Sequence, residues 1–375
     1  MERRLATSRF PRHALRRALD MALLLIDGFD HYLTADKFIR WNSETIDNGN
    51  SVRQTQVINS GGRVSGGYLS VPWTGSSVSK ILRADRSNLV AGFAFRVPAP
   101  GNAFPQAVFG YLSGASRQFE ISINTSSQLY VTRNGTTVQA GIGASSLSQN
   151  AWYFVEFKVN FHPTAGSYVV RLDGNVIFSG SGLNTAASGT ASANAITLGN
   201  GLLITGFGGN SPLHYDDLYV LEADSGSGLS DFIGDCRVQT LLPTGAGTTT
   251  GLSKGGAATT NWQSVNEATP DTTTTVFANT AGLYDTYQYG DLVAVTNTVY
   301  AVAQSFVSQR DDTGFRRATA RIRSGGTEAD FAAPIQPLTG AYSVQQQIQE
   351  TNPVTGAAWT VSQVNAMEMG PKIAS

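Results

Sequence analysis

The chain is poor in charge and almost devoid of cysteine. Only 14% of its 375 residues are Asp, Glu, Lys or Arg, and Cys236 is its one cysteine. A single thiol excludes an internal disulfide and a thiolate metal cluster. The 26 basic and 27 acidic side chains leave a net charge of −1, so the positive excess of a nucleic-acid binder is missing. No apolar run approaches the ~20 residues of a membrane-spanning helix. What is present is 41% hydrophobic residues, enough to bury a core. Forty glycines among Ser/Thr/Asn-rich stretches imply many turns and short strands. The length suggests two units.

The first twenty residues hold six arginines against Glu2 and Asp20. Three readings of this leader stand. A secretory signal needs an apolar stretch of about 7–15 residues, whereas Met21-Ala22-Leu23-Leu24-Leu25-Ile26 reaches Asp27 too soon. A basic arm touching nucleic acid or an acidic partner is the second. The preferred reading takes Met21 as the start, with residues 1–20 a disordered or mis-assigned extension.

From Leu23 to Glu222 the dominant signal is alternation of apolar and polar residues, the mark of half-buried strands. Phe93, Phe95 and Val97 flank Ala94 and Arg96; Phe119, Ile121 and Ile123 alternate with Glu120, Ser122 and Asn124. Tyr153, Val155, Phe157, Val159 and Phe161 share a face, opposite Glu156, Lys158 and Asn160. Tyr168, Val170 and Leu172 repeat the beat. Asn134-Gly135 and Asp173-Gly174 sit between such runs, and both dipeptides tolerate the positive φ of tight hairpins. Residues 22–223 are therefore expected to form an antiparallel β-sandwich, helical only around Leu33–Arg40.

A small, polar stretch at 224–230 reads as a linker. The remaining 231–375 reads as a second, smaller β-sandwich module. Its strand candidates are Cys236–Leu242, Thr273–Phe277, Leu292–Val307, Arg317–Ile322 and Ala341–Gln349. Thr244–Thr260 reads as a long loop. Thr360 is placed to cap a short helix through Met367, closed by Gly370-Pro371.

Four segments occur in a telling order: Trp152-Tyr153-Phe154-Val155-Glu156-Phe157, then Val169-Val170-Arg171-Leu172-Asp173-Gly174, then Ala195-Ile196-Thr197-Leu198-Gly199, then His214-Tyr215-Asp216-Asp217-Leu218-Tyr219-Val220. In this order they resemble the concanavalin A-like, LamG-type jelly roll, with Leu25-Ile26-Asp27-Gly28-Phe29-Asp30 as its first strand. The resemblance implies two packed sheets with first and last strands side by side. The Gly/Thr/Asn-rich texture and the ending Asn352-Pro353-Val354-Thr355-Gly356-Ala357-Ala358-Trp359-Thr360 are also similar to tailed-bacteriophage virion proteins. That likeness implies a non-enzymatic tail fibre, spike or decoration protein on the virion. Its partners would be other virion proteins, further copies of itself and a cell-surface glycan, with no membrane or nucleic acid. A carbohydrate-active enzyme on the same fold and a bacterial surface adhesin are the alternatives.

The chemistry-bearing residues are few. Glycoside hydrolysis normally needs two carboxylates about 5–10 Å apart. The Glu-x-Asp-x-x-Glu spacing of glucanases of this fold is absent, and Glu120 and Glu156 are expected singly on solvated faces. Asp216-Asp217 beside His214, and Asp27 and Asp30 beside His31, are the densest acidic groups. Pairing of first and last strands would bring Asp27, Asp30, Asp216 and Asp217 together as a calcium candidate, though neighbouring Asp216 and Asp217 point to opposite faces. No other cofactor is expected. Trp41, Trp73 and Tyr32 lie near turn signals and are the candidate sugar platforms. Cys236 is expected to be a core thiol in an apolar strand.

Overall fold

The computed structural model describes residues 21–46, 54–72, 75–97, 105–199, 212–223, 226–293, 298–332 and 338–375. The leader 1–20 and Trp73 lie outside the described residues.

Alternation becomes a pair of antiparallel sheets. The strands are β1 (Leu23–Asp27), β2 (Ser43–Thr45), β3 (Gln56–Ile58), β4 (Tyr68–Val71), β5 (Ser77–Arg86), β6 (Asn88–Arg96), β7 (Gln106–Ser113) and β8 (Ser116–Ile123). They continue with β9 (Leu129–Arg133), β10 (Thr136–Gln139), β11 (Trp152–Asn160), β12 (Gly166–Leu172), β13 (Asn175–Leu183), β14 (Ala193–Gly199) and β15 (Leu213–Glu222). The first sheet runs β13-β12-β11-β6-β15-β4-β3, and the second β10-β9-β8-β7-β14-β5-β2. The first strand β1 lies antiparallel on the last, β15, from Leu23 opposite Leu221 to Asp27 opposite Leu218. This is a jelly-roll-like β-sandwich, as the alternation implies. One short helix, α1 (Lys37–Arg40), follows a 3-10 turn at Thr34–Asp36.

Between the sheets the alternating aromatics interlock. Phe93 stacks on Phe109 at 5.2 Å, and Phe157 meets Tyr111 at 5.3 Å and Phe119 at 6.0 Å. All five are buried. Burying each such ring contributes about 1.5–3 kcal/mol. Two buried phenols tie the layers together: Tyr111 of the second sheet donates to the Phe157 carbonyl of the first at 2.8 Å. Reciprocally, Tyr215 of the first donates to the Val108 carbonyl of the second at 2.6 Å. The hairpins form where expected. Asn134 (φ 46°) and Gly135 (φ 76°) join β9 to β10, and Asp173 (φ 48°) and Gly174 (φ 80°) join β12 to β13.

Beyond the sandwich come β16 (Pro243–Thr250), β17 (Ser253–Gly255), β18 (Thr275–Phe277), β19 (Asp285–Tyr289), β20 (Val302–Ser308), β21 (Ala318–Ser324), β22 (Thr327–Asp330), β23 (Ser343–Gln349) and β24 (Glu368–Ile373). They make a five-stranded antiparallel sheet, β16-β19-β24-β21-β22, and two ribbons, β17-β18 and β20-β23. Thr360 caps the helix α2 (Val361–Asn365), its Oγ1 accepting from the Gln363 amide at 3.2 Å. Three expectations need correction. Cys236–Leu242 is not a strand. Gly370-Pro371 lies within β24 rather than ending the helix. The supposed loop Thr244–Thr260 contains β16, because its glycines and threonines find fixed partners: buried Asp285 accepts the Gly251 and Leu252 amides, each at 2.8 Å, and Glu368 accepts the Thr248 amide at 2.6 Å.

The two cross-layer phenols give a direct test of the sandwich. Tyr111→Phe and Tyr215→Phe should each cost about 0.5–1.5 kcal/mol. Phe157→Ala, which opens a cavity, should cost about 3–5 kcal/mol. Denaturant unfolding of the purified variants measures all three.

Candidate functional site

Residues directly opposite one another in antiparallel strands share a face. Following the register across the second sheet, Ser43 lies opposite Ser79, Ser79 opposite Thr197, Thr197 opposite Gly110, and Gly110 opposite Glu120. Glu120 in turn lies opposite Thr132, and Thr132 opposite Thr137. Their strand neighbours Val78, Leu198, Phe109, Ile121 and Val131 are in the core, so this row crosses the sheet's outer face. It consists of five hydroxyls, a glycine and one carboxylate. A Cβ at Gly110 would sit 3.2 Å from both Glu120 Cγ and Thr197 Cγ2, closer than side chains ordinarily pack, so the glycine lets these two close over its strand.

Glu120 is not a solvated singleton. It is 1% exposed. Arg117 Nη1 donates to its Oε1, while Thr132 Oγ1 (3.3 Å) and the Gly135 amide (3.4 Å) donate to Oε2. One row along, Ser122 lies opposite Tyr130, and Ser122 Oγ is 3.4 Å from Thr132 Oγ1. Burial, and to a lesser degree the charge of Glu120, push the half-buried Tyr130 phenol up, so it keeps its proton. The alternation exposed these residues as an outer face; the row appears only once register is known.

The outer face of the first sheet is occupied by the chain itself. Glu156 is buried there; its Oε1 accepts from Tyr219 Oη at 2.7 Å and from the Gly234 amide at 2.9 Å. Lys158 pairs with Asp231 at 3.0 Å, Arg171 lies 4.0 Å over the Phe232 ring, and Arg63 pairs with Asp235. Segment 229–238 thus straps this face, with Leu229, Phe232, Ile233 and Cys236 packed on Phe154, Tyr219 and Leu221. Burial pushes the Cys236 thiol up, away from nucleophilic use. Both glutamates therefore depart from their expected solvated setting.

The residues expected to bind are placed as follows. Trp41 (1% exposed) and Tyr32 (3% exposed) are not platforms. Trp41 Nε1 donates to Tyr32 Oη at 2.9 Å, and Tyr32 donates to Asp27 Oδ2 at 3.0 Å. Asp27 also accepts from Arg40 Nε at 3.2 Å and from the Phe29 amide at 2.9 Å. Buried indole and phenol groups need such partners, and α1 supplies the cation. Trp73 lies outside the described residues. The aspartates lie near enough for their charges to interact, yet each is held by partners of its own. Asp27 belongs to that inner network, and Asp30 accepts from the Gly67 amide at 2.6 Å. Asp216 accepts from the Arg63 amide, and Asp217 from the Val238 amide with its second oxygen 3.5 Å from Arg63 Nη1. Among the described residues, no group of three or more His, Cys, Asp or Glu is placed to hold a metal ion.

No family model matches the chain, and no curated protein matches its sequence. Among solved structures it is similar to the alginate lyase Aly36B bound to an alginate tetrasaccharide (12% identity, TM-score 0.38, 53% of this chain and 96% of the lyase). It is also similar to the cellulose-induced protein Cip1 (10% identity, TM-score 0.37, 49% of this chain and 88% of Cip1). A third is the Trypanosoma rangeli sialidase (14% identity, TM-score 0.33, 44% of this chain), of which the match spans only 26%. These likenesses cover only about half of this chain or less. They nonetheless correct the expectation of a non-enzymatic phage structural protein, since the matched structures include a lyase and a sialidase and none of the three is a virion component.

The acidic corner makes a pH-dependent prediction. Burial, partly offset by the Gly67 amide, raises the Asp30 carboxyl from 3.8 to about 6. The folded state therefore holds this proton more tightly than the unfolded chain. The stabilisation it brings is fully present below pH 3.8 and is lost as pH rises to about 6. Asp30→Asn keeps an acceptor for Gly67 and abolishes the titration. Its melting temperature relative to the parent should rise between pH 4 and pH 7; a constant difference would contradict the assignment.

Proposed function

We propose that the chain is a carbohydrate-active enzyme that binds a polysaccharide across the outer face of its second sheet. The observation that carries this reading is the transverse row Ser43, Ser79, Thr197, Gly110, Glu120, Thr132 and Thr137. Six strand intervals of about 4.8 Å make the row roughly 29 Å long, a length suited to several sugar units. Hydroxyl side chains on rigid strands match the donors and acceptors of a glycan, with Ser43 and Thr137 exposed at the two ends of the row.

The reaction is argued from what surrounds Glu120. Hydrolysis normally uses two carboxylates, and no second one stands in the row. A carboxylate, a guanidinium and a protonated phenol instead suit elimination next to a uronic-acid carboxylate. Arg117 offsets the charge of the substrate carboxylate, and Glu120 takes the proton from the adjacent carbon. Tyr130 returns a proton to the departing glycosidic oxygen as the carbon–oxygen bond breaks and a carbon–carbon double bond forms. The concanavalin A-like resemblance is compatible with this use of the sheet.

Purified protein incubated with uronate-containing and neutral polysaccharides provides the test. Elimination creates an unsaturated sugar end that absorbs in the ultraviolet, whereas hydrolysis creates reducing ends without that band. Glu120→Gln and Tyr130→Phe should each lower the rate by about 10²–10⁴-fold; Glu120→Gln also breaks the buried ion pair with Arg117 and lowers the unfolding midpoint, so Tyr130→Phe serves if it does not fold. Absence of cleavage of any uronate polymer, or full activity in Glu120→Gln, would sink the reading.

A further inference from the structure

The first sheet's outer face carries a second chemical grouping, at the end away from Glu156. Arg96 on β6 lies opposite Trp152 on β11 and opposite His214 on β15. His214 lies opposite Ser70 on β4, which places Tyr68, two residues along, on the same face. Four neighbouring strands thus deliver one residue each to a single patch. The Arg96 guanidinium lies 4.5 Å from the centre of the Trp152 ring and 5.3 Å from that of Tyr68. The two rings meet edge to face at 6.3 Å. Tyr68 also lies 4.4 Å from the His214 ring. Arg96, Trp152 and Tyr68 are all partly exposed.

Arg96 differs from four other arginines of the chain. Arg40, Arg63, Arg117 and Arg321 each pair with a carboxylate. Arg96 has no described carboxylate partner: its Nη2 is 3.0 Å from His214 Nδ1, and its Nε is buried with no hydrogen-bond partner. Burial, and then the charge of Arg96, lower His214 to about 4. The imidazole is therefore neutral near pH 7, with Nδ1 accepting from Arg96 and Nε2 left as a donor. Aromatic rings fix the plane of a cation whose planar fork matches a carboxylate bidentately. The indole supplies apolar surface for the C–H face of a sugar ring.

We propose that Arg96, Trp152, Tyr68 and His214 form a separate binding site for an acidic saccharide unit. Its carboxylate is held by Arg96 and its ring lies against Trp152. This site is on the opposite sheet from the hydroxyl row and does not rest on the elimination reading.

A single sugar unit separates the two, being too short to engage the row. Full-length protein is titrated with the methyl glycoside of a hexuronic acid, with that of the corresponding neutral hexose, and with acetate. Tryptophan fluorescence and calorimetry report binding. The uronoside should bind, while the neutral glycoside and acetate each bind about tenfold more weakly or not at all. Arg96→Gln should weaken uronoside binding about tenfold, and Trp152→Phe should remove most of the fluorescence change. Arg96→Lys, which keeps the charge but not the fork, gives an intermediate loss and serves if the glutamine variant does not fold. Glu120→Gln should bind as the parent does, so loss of cleavage leaves this outcome untouched. Undiminished binding in a folded Arg96→Gln protein, no uronoside binding by the parent, or acetate binding as tightly as the uronoside would each overturn the proposal.

Discussion

Strand register is the constraint from which the remaining features follow. A strand sends successive side chains to opposite faces, so a slip of one residue exchanges the whole inner set for the outer one. In β8 such a slip would drive Glu120, Gln118 and Ser122 into the layer now filled by Phe119, Ile121 and Ile123. The cost of burying a carboxylate among those rings forbids it. The cross-layer bonds of Tyr111 and Tyr215 add a second lock, because each phenol reaches its carbonyl in one register only. The hydroxyl row and the Arg96 patch are consequences of this packing. Their residues are aligned because the residues behind them have nowhere else to go.

Period and turns were therefore legible in the sequence, and what lies on top of a strand was not. The run from Tyr153 to Phe161 declares its inner face through five large apolar residues, and Asp173-Gly174 declares the hairpin that follows. The same run could not say whether Glu156 meets water. Its partners are Tyr219, 63 residues away, and Gly234, 78 residues away. Alternation distinguishes core from outer face but is silent on whether the outer face is wet. Glu120 was misjudged for the same reason, its closest neighbours being supplied by the adjoining strand and hairpin.

The aromatic candidates failed through a different cause. Trp41 and Tyr32 flank turn signals, which suggested exposure, yet each has one polar atom that can be satisfied inside. The signal lay in Asp27, Arg40 and the short helix between them: an acid, a base, a phenol and an indole within fifteen residues can close a buried network among themselves. Likewise, the Gly/Thr-rich stretch after Pro243 read as a loop because small residues carry little strand preference. It pairs as β16 because Asp285 and Glu368 collect its amides. In both places charged groups distant from a functional surface are spent on holding backbone.

The two outer faces consequently differ in what covers them. On the first sheet, Lys158, Arg171 and Arg63 are met by Asp231, Phe232 and Asp235 of the strap, so most of that face is closed by the chain's own residues. A polymer laid there would have to displace three cation contacts and the apolar cluster of Phe154, Tyr219 and Leu221. Individually the partly exposed contacts are weak, but the buried rings and the bond from Gly234 to Glu156 act with them. On the second sheet residues 188–192 close over Gln118 of the outer face, its Nε2 donating to the Thr190 and Ser192 carbonyls, and the row beside it carries small side chains around a lone carboxylate. At the end around Arg96, Trp152 packs on the same apolar cluster as the strap, while Arg96, Trp152 and Tyr68 stay partly exposed.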